Sequence, residues 1–345
     1  MTRRDFVSLA SAAAVSAVSP LAAATLDGTP PKTRMGIAST SYMTYRRFSD
    51  PSELLEHAHA LGAGGIQAGL STTDPAVLKK LRARAEELGM YIEAMANLPK
   101  KDDSGAFENS IQAAKIAGAL CVRTACLSGR RYENFKSLAE WQQFTTESIA
   151  AIKRAIPIVE KQRVALAIEN HKDWTVQELA AILKDSPSEY LGVCLDFGNN
   201  ISLLDDPMEV VETLAPHAFS VHVKDMGVEP YRNGFLLSEV PLGEGILDLK
   251  KMVATVRKAR PDTRITLEMI TRNPLEVPCL TEKYWGTYPE RSGLYLARTL
   301  QMVHKESDGL SALPRMDLQS KPALLRLEDE NVKICLHYAR ERLQV

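Results

Sequence analysis

Val164-Ala-Leu-Ala-Ile-Glu-Asn-His171 reads as a short apolar strand that ends in a carboxylate, an amide and an imidazole. Its two faces differ. Leu166 and Ile168 are large and point one way. Ala165 and Ala167 are small and point the other way, in line with Glu169 and His171. A strand with large residues outside and small ones inside suits a closed parallel barrel wrapped by helices. Glu169 then points inward near the C-terminal end of its strand, where such barrels keep their active sites.

Three later stretches repeat the device. Leu191-Gly-Val-Cys-Leu-Asp196 aligns Gly192, Cys194 and Asp196. Ala218-Phe-Ser-Val-His-Val-Lys224 aligns Ser220, His222 and Lys224. Arg264-Ile-Thr-Leu-Glu-Met-Ile270 aligns Thr266 and Glu268. Glu169, Asp196, His222 and Glu268 should therefore converge at one end of one barrel. Three carboxylates meeting at one point repel unless a cation sits among them. Oxygen-rich ligation with a single nitrogen favours one divalent ion such as Mn²⁺, Mg²⁺ or Co²⁺ over a thiolate-type zinc site, with Zn²⁺ as the alternative.

Strand and helix patterns alternate around these stretches. Earlier strands are expected at Met35 to Thr40, Gly65 to Leu70, Tyr91 to Leu98 and Cys121 to Ser128. Helices are expected to open at Pro51, Pro75, Ser137, Pro207, Asp248 and Ser292. Such alternation implies parallel strands, and about eight units imply closure. The fold class is thus α/β, a single eightfold barrel over residues 34–306. Residues 307–345 form an extension. Its stretch from Asn331 to Leu343 can be an amphipathic helix, with Val332, Ile334, Cys335 and Tyr338 as its apolar side. That helix would pack on the barrel or on a second copy of the chain.

The chain opens with Thr2-Arg-Arg-Asp-Phe6, a mild apolar run and Ala22-Ala-Ala24. This is the pattern of a twin-arginine export signal over residues 1–24, followed by a linker over 25–33. The mature chain would then be periplasmic or otherwise exported. The apolar run is broken by Ser and Pro20 and makes a poor permanent membrane span. A formal net charge of −1 over 345 residues argues against a nucleic-acid binder. The five cysteines show no Cys-x-x-Cys spacing, so neither a zinc finger nor a disulfide framework is indicated.

Five motifs then fall in order: Ile168-Glu-Asn-His171, Cys194-Leu-Asp-Phe-Gly198, Val221-His-Val-Lys-Asp225, Leu242-Gly-Glu-Gly-Ile-Leu-Asp248 and Leu267-Glu268. Together they resemble the xylose isomerase-like TIM barrel superfamily, which includes ketose 3-epimerases, hydroxypyruvate isomerase, inosose dehydratase and endonuclease IV. The resemblance implies that Glu169, Asp196, His222 and Glu268 bind one divalent metal. It also implies that Glu169 and Glu268 serve as the acid/base pair, one on each face of a small carbohydrate, through an enediolate-type intermediate. Many relatives read Asp-x-Gly-His where this chain reads Asp196-Phe-Gly-Asn199. A histidine able to bind substrate or move a proton is therefore replaced by Asn199.

Other inward or nearby residues carry open readings. His171 and Lys224 would either support the metal ligands or touch substrate. Glu93 and Arg123 are expected to form an internal salt bridge rather than contact substrate. Arg272, Tyr284 and Trp285 follow the last strand; the loop is either a lid and sugar-stacking platform or a folded core piece. His57 and His59 read as solvated. Gly243-Glu-Gly245 reads as a tight turn. The leading expectation is an exported metal-dependent sugar isomerase or epimerase. The alternative is a 3-keto-glycoside lyase or hydrolase using the same metal, and less favoured still is a non-catalytic carbohydrate-binding barrel. A repair endonuclease would need many more histidines than the seven present.

Overall fold

A computed structural model describes residues 31–288, 290–307, 312–317 and 319–345. The proposed export signal, residues 1–24, lies outside the described residues. The strands are β1 (Gly36–Ala38), β2 (Gly65–Gly69), β3 (Tyr91–Met95), β4 (Val122–Thr124), β5 (Leu166–Glu169), β6 (Leu191–Asp196), β7 (Ala218–Val223), β8 (Asp225–Tyr231), β9 (Gly234–Val240), β10 (Arg264–Leu267) and β11 (Leu275–Val277). Eight of them close a barrel in the order β1-β10-β7-β6-β5-β4-β3-β2. All its strand pairs are parallel. The expected fold class is therefore observed.

Local chemistry explains the helices that buttress it. Asp50, Asp74 and Asp206 each precede a proline, and each carboxylate accepts a backbone N–H in the first helical turn. Ser137 caps the long helix Leu138–Gln162. Thr175 and Glu178 form a reciprocal capping box at Val176–Lys184. The outward residues Leu166, Ile168, Val193, Leu195, Val221 and Leu267 join the main core between barrel and helices.

The barrel interior is layered. At the bottom, Cys121, Ala167 and Cys194 form a small apolar cluster with Ala165 and Phe219 against it. Phe219 reaches it through a register shift between β6 and β7. Its ring lies where a Cβ on Gly192 would stand, which is why that strand position is glycine. Above this, Glu93 accepts hydrogen bonds from Gln67, Ser220 and Thr266 at 2.9, 2.7 and 3.2 Å. The expected Glu93–Arg123 salt bridge is absent. Arg123 is level with Met95, not Glu93, in the β3–β4 register. Two residues along a strand separate the two charges by about 6.6 Å of rise.

An antiparallel sheet in the order β11-β9-β8 is added to the barrel. The sequence reading placed no strands there. It covers a second apolar cluster containing Phe235, Leu237, Val277, Tyr284 and Tyr288. The Asp225 carboxylate accepts backbone N–H bonds from Gly243, Gly245 and Leu247 at 2.9, 3.1 and 3.1 Å. Gly243 has φ +90° there, so the tight turn requires a glycine.

The C-terminal helix starts earlier than expected, at Lys321, and runs to Tyr338 before one wider turn to Leu343. Val332, Cys335 and Leu336 bury themselves in the barrel core. Ile334 does not; it is 43% exposed. Buried Glu328 clamps the helix to the barrel top by accepting the N–H groups of Tyr45 and Arg46 at 3.2 and 2.9 Å. His57 also departs from expectation. It is half-buried, with Nε2 3.0 Å from the Tyr42 hydroxyl and 3.2 Å from Asp329. All five cysteines are free thiols. No helix among the described residues is long and apolar enough to cross a membrane.

Candidate metal and substrate site

Glu169 and Asp196 end β5 and β6, His222 lies near the end of β7, and Glu268 directly follows β10. All four are buried. One ligand atom from each falls within 4.8 Å of all the others. His222 Nδ1 stands 3.7 Å from an oxygen of Glu169, of Asp196 and of Glu268.

The histidine's orientation is set from behind. Gln67 Nε2 donates to Glu93, so its carbonyl oxygen is left to accept from His222 Nε2, 2.7 Å away. This leaves Nδ1 facing three carboxylates. It is buried and has no hydrogen-bond partner. Burial lowers the proton affinity of His222, but Cys194, Glu268 and Glu169 outweigh it and hold the imidazole well above its ordinary pKa. The centre therefore demands a cation at Nδ1. A divalent ion meets that demand with three oxygen donors and one nitrogen, so the residues fit the group.

Each carboxylate is also anchored. Glu169 pairs with Arg123 and accepts from Asn199 Nδ2 at 2.9 Å. Glu268 pairs with Lys224 and accepts from the Thr40 hydroxyl at 2.8 Å. Lys224 Nζ also lies 2.8 Å from Asp196 Oδ2, an ion-pair contact outside good hydrogen-bond direction. Burial pushes both glutamates upward, yet their cationic neighbours win. Arg123 and His222 hold Glu169 low, and Lys224 and His222 do the same for Glu268.

A cavity of about 230 Å³ opens above the quartet, lined among others by Thr40, Arg123, His171, Lys172, Glu268 and Arg272. Its size suits a monosaccharide, being below the roughly 300–1,000 Å³ of drug-sized ligand sites. A larger cavity, about 570 Å³, lies elsewhere, between the antiparallel sheet and the C-terminal helix, and contains none of the quartet. Donor chemistry rather than volume identifies the site. Arg272 lines both cavities and is tied to buried Glu239 at 2.7 Å.

The structure thus brings Glu169, Asp196, His222, Glu268, Lys224 and Asn199 together, with His171 and Arg272 on the cavity wall. Burial brings His171 down to about 4, so its imidazole is neutral. Trp285 is placed elsewhere. Its indole N–H donates to the Cys279 carbonyl, and its ring packs against Tyr284 and Tyr288. Tyr284 is fully buried and donates to the Ser202 carbonyl. Of the two readings of that loop, the folded core piece describes these aromatics. Lys172 was missed. It follows the strand end, where alternation no longer predicts direction, and only its place beside His171 hinted at it.

With eight parallel strands around an acid-rich C-terminal mouth, the chain belongs to the xylose isomerase-like TIM barrel family, whose pattern matches residues 55–287. The resemblance read from the five motifs is thereby confirmed at the level of family and fold. The chain is 28% identical over 236 residues to 3-oxo-isoapionate decarboxylase from Pectobacterium atrosepticum, covering 65% of this chain and 81% of that one. Its fold is similar to that of D-psicose 3-epimerase in the presence of D-fructose, with a TM-score of 0.59 and 16% identity over 90% of this chain and 99% of the other. A similar barrel from Mycobacterium smegmatis, in complex with magnesium, gives a TM-score of 0.55 at 14% identity over 79% and 97%.

Proposed function

We propose that the protein is a divalent-metal-dependent enzyme of the sugar isomerase and epimerase class, acting on a keto sugar of monosaccharide size. The observation that carries this is the unpartnered His222 Nδ1 facing three buried carboxylates beneath a small polar cavity. Glu169, Asp196, His222 and Glu268 would hold the metal. When bound, it supplies Lewis-acid stabilisation of negative charge developing on the oxygens of a keto sugar. Glu169 and Glu268 sit on opposite sides of the β6–β7 pair. They can therefore address a substrate carbon from different sides, one taking a proton and the other returning one. Arg123 and Lys224 hold these carboxylates in place and keep them ionised.

A second reading, a lyase, draws on a specific feature. Both oxygens of Glu169 and of Glu268 are already engaged, by Arg123 and Asn199 and by Lys224 and Thr40. Losing CO₂ from a 3-oxo acid leaves the electron pair of the broken C–C bond in an enolate and needs no carbon base, and expelling a group β to a ketone needs one base where epimerisation needs a base and an acid on opposite faces. The relationship to a 3-oxo acid decarboxylase supports the same direction. Export through the twin-arginine route, read from Arg3 and Arg4, is part of the proposal and favours extracellular carbohydrate as the source of substrate.

The test is turnover of metal-loaded protein on keto sugars, 3-keto-glycosides and 3-oxo sugar acids in D₂O. Epimerisation places deuterium at the inverted carbon; cleavage releases a second product. Glu169→Gln and Glu268→Gln should each lower epimerase turnover about 10²-fold or more. Near-normal turnover in both variants, with metal bound, would remove the two carboxylates from proton transfer.

A further inference from the structure

Lys172 is the most unusual residue of the cavity. It is 4% exposed, and its backbone φ is +135°, a conformation that favours glycine and strains an ordinary side chain. Such strain persists only where the surroundings over-determine it. Here the backbone is held by its carbonyl, which accepts from Arg131 N at 2.9 Å. The side chain is held by Asn199, whose Oδ1 accepts from Lys172 Nζ.

The cations around Lys172 each have an ion-pair partner, and among the described residues Lys172 has none. Arg123 has Glu169, Arg130 has Glu133, Lys224 has Asp196 and Glu268, and Arg272 has Glu239. Among the described residues, no carboxylate lies within ion-pair distance of Lys172 Nζ. Its one hydrogen-bond acceptor is a neutral amide oxygen, which Lys224 Nζ also approaches at 3.4 Å. Two ammonium groups therefore share one carbonyl at the wall of the substrate cavity. Burial, followed by repulsion from Lys224 and Arg272, brings the Lys172 amine down to about 8, so it is still largely charged at neutral pH. A buried ammonium without a direct ion-pair partner is expensive, and a chain that retains one under backbone strain gains when an anion arrives.

We propose that Lys172, braced by Asn199, is the specificity residue that receives a carboxylate of the substrate, so that the enzyme acts on keto sugar acids rather than neutral keto sugars. This rests on the keto-sugar reading of the cavity given above. The amide at position 199, where a histidine was expected from the resemblance, has a defined task here. Its oxygen aims Lys172, and its nitrogen fixes Glu169. No bond is made or broken by Lys172 in this role.

The experiment is calorimetric titration of Mn²⁺-loaded protein with 2-keto-D-gluconate, D-fructuronate and D-fructose, for wild type, Lys172→Gln and Lys172→Met. The Gln variant can keep a hydrogen bond to Asn199 but carries no charge. In wild type at least one of the two acids should bind more tightly than D-fructose. Both variants should lose about ten- to a hundred-fold in affinity for that acid, the worth of one hydrogen bond to a charged group, while D-fructose changes little. Metal content, measured on the same samples, should be unchanged. The proposal is overturned if D-fructose binds as well as the acids, or if the variants weaken acid and neutral sugar alike. It also fails if the variants retain full affinity for the acid. Binding by none of the three to metal-loaded wild type would overturn the keto-sugar reading itself, and this proposal with it.

Discussion

Replacing Lys224 with Met separates a metal centre from a set of internal ion pairs. Lys224 is 1% exposed and sits between Asp196 and Glu268. With Arg123 and the His222 imidazole it sets three positive charges against the three carboxylates of the metal-free quartet. Without it, two cations face three buried anions. Removing one partner of a buried ion pair costs about 3–5 kcal/mol, because the other charge is stranded. At roughly 2 °C per kcal/mol for a chain of this size, the variant should melt about 6–10 °C below wild type in EDTA. A divalent ion supplies the missing charge. Metal binding stabilises wild type as well, so the gap closes only by the gain in affinity; with the competing ammonium gone the variant should bind the ion at least about 10- to 70-fold tighter, which offsets half of a loss of about 3–5 kcal/mol. Thermal melts in EDTA and in Mn²⁺ should therefore show the gap shrinking by at least half on adding metal. A gap of equal size in both conditions would refute the metal centre and leave a structural ion-pair network.

Three further outcomes can be checked. Asp225→Ala removes the acceptor for three backbone N–H groups of the Gly243–Leu247 turn and should cost about 3 kcal/mol or more, with faster hydrogen exchange confined first to that turn. Asp173 is pushed up to about 7 by burial, which its bonds from Trp174 and Leu127 only partly offset, against an ordinary value of 3.8. The folded state thus holds the proton more tightly. Its contribution is complete below about pH 4 and is lost as pH rises through 7, so urea midpoints should fall from pH 5 to pH 8 and fall less in Asp173→Asn. Changing Arg3 and Arg4 together to Lys should retain the precursor in the cytoplasm on cell fractionation, and unchanged export would point to a different route.

The barrel was legible because strand alternation survives burial. Small residues at 165, 167, 192 and 194 and polar ones at 169, 196, 222 and 268 share a face, and closure makes all such faces meet. What failed was height and exit direction. Glu93 and Arg123 share the inward side but sit at different levels, a register fact that no single strand reveals. Lys172 lies past the end of β5, where direction comes from a strained backbone rather than from period two. The hairpin of β8 and β9 was hidden for a related reason. Gly227 and Pro230 read as breakers, and only pairing with the facing strand makes Asp225–Tyr231 extended.

At the opposite face from the metal quartet, Thr33 donates its hydroxyl proton to the Val345 carbonyl, and Arg34 and Arg340 reach across the same seam to Gln344 and Pro31. Thr33 and Val345 are therefore neighbours although they are 312 positions apart. Eight β/α units arranged in a ring have no intrinsic first member, and this seam is where the ring is cut. With residues 1–32 left out, a linker of a few residues from Val345 to Thr33 would make the covalent chain as cyclic as the fold. New ends could then be opened in an exposed connection such as the loop around Lys101, where little packing is disturbed. The four quartet residues would still be synthesised in the order Glu169, Asp196, His222, Glu268, with β1 to β3 now following them, while their meeting point stayed the same.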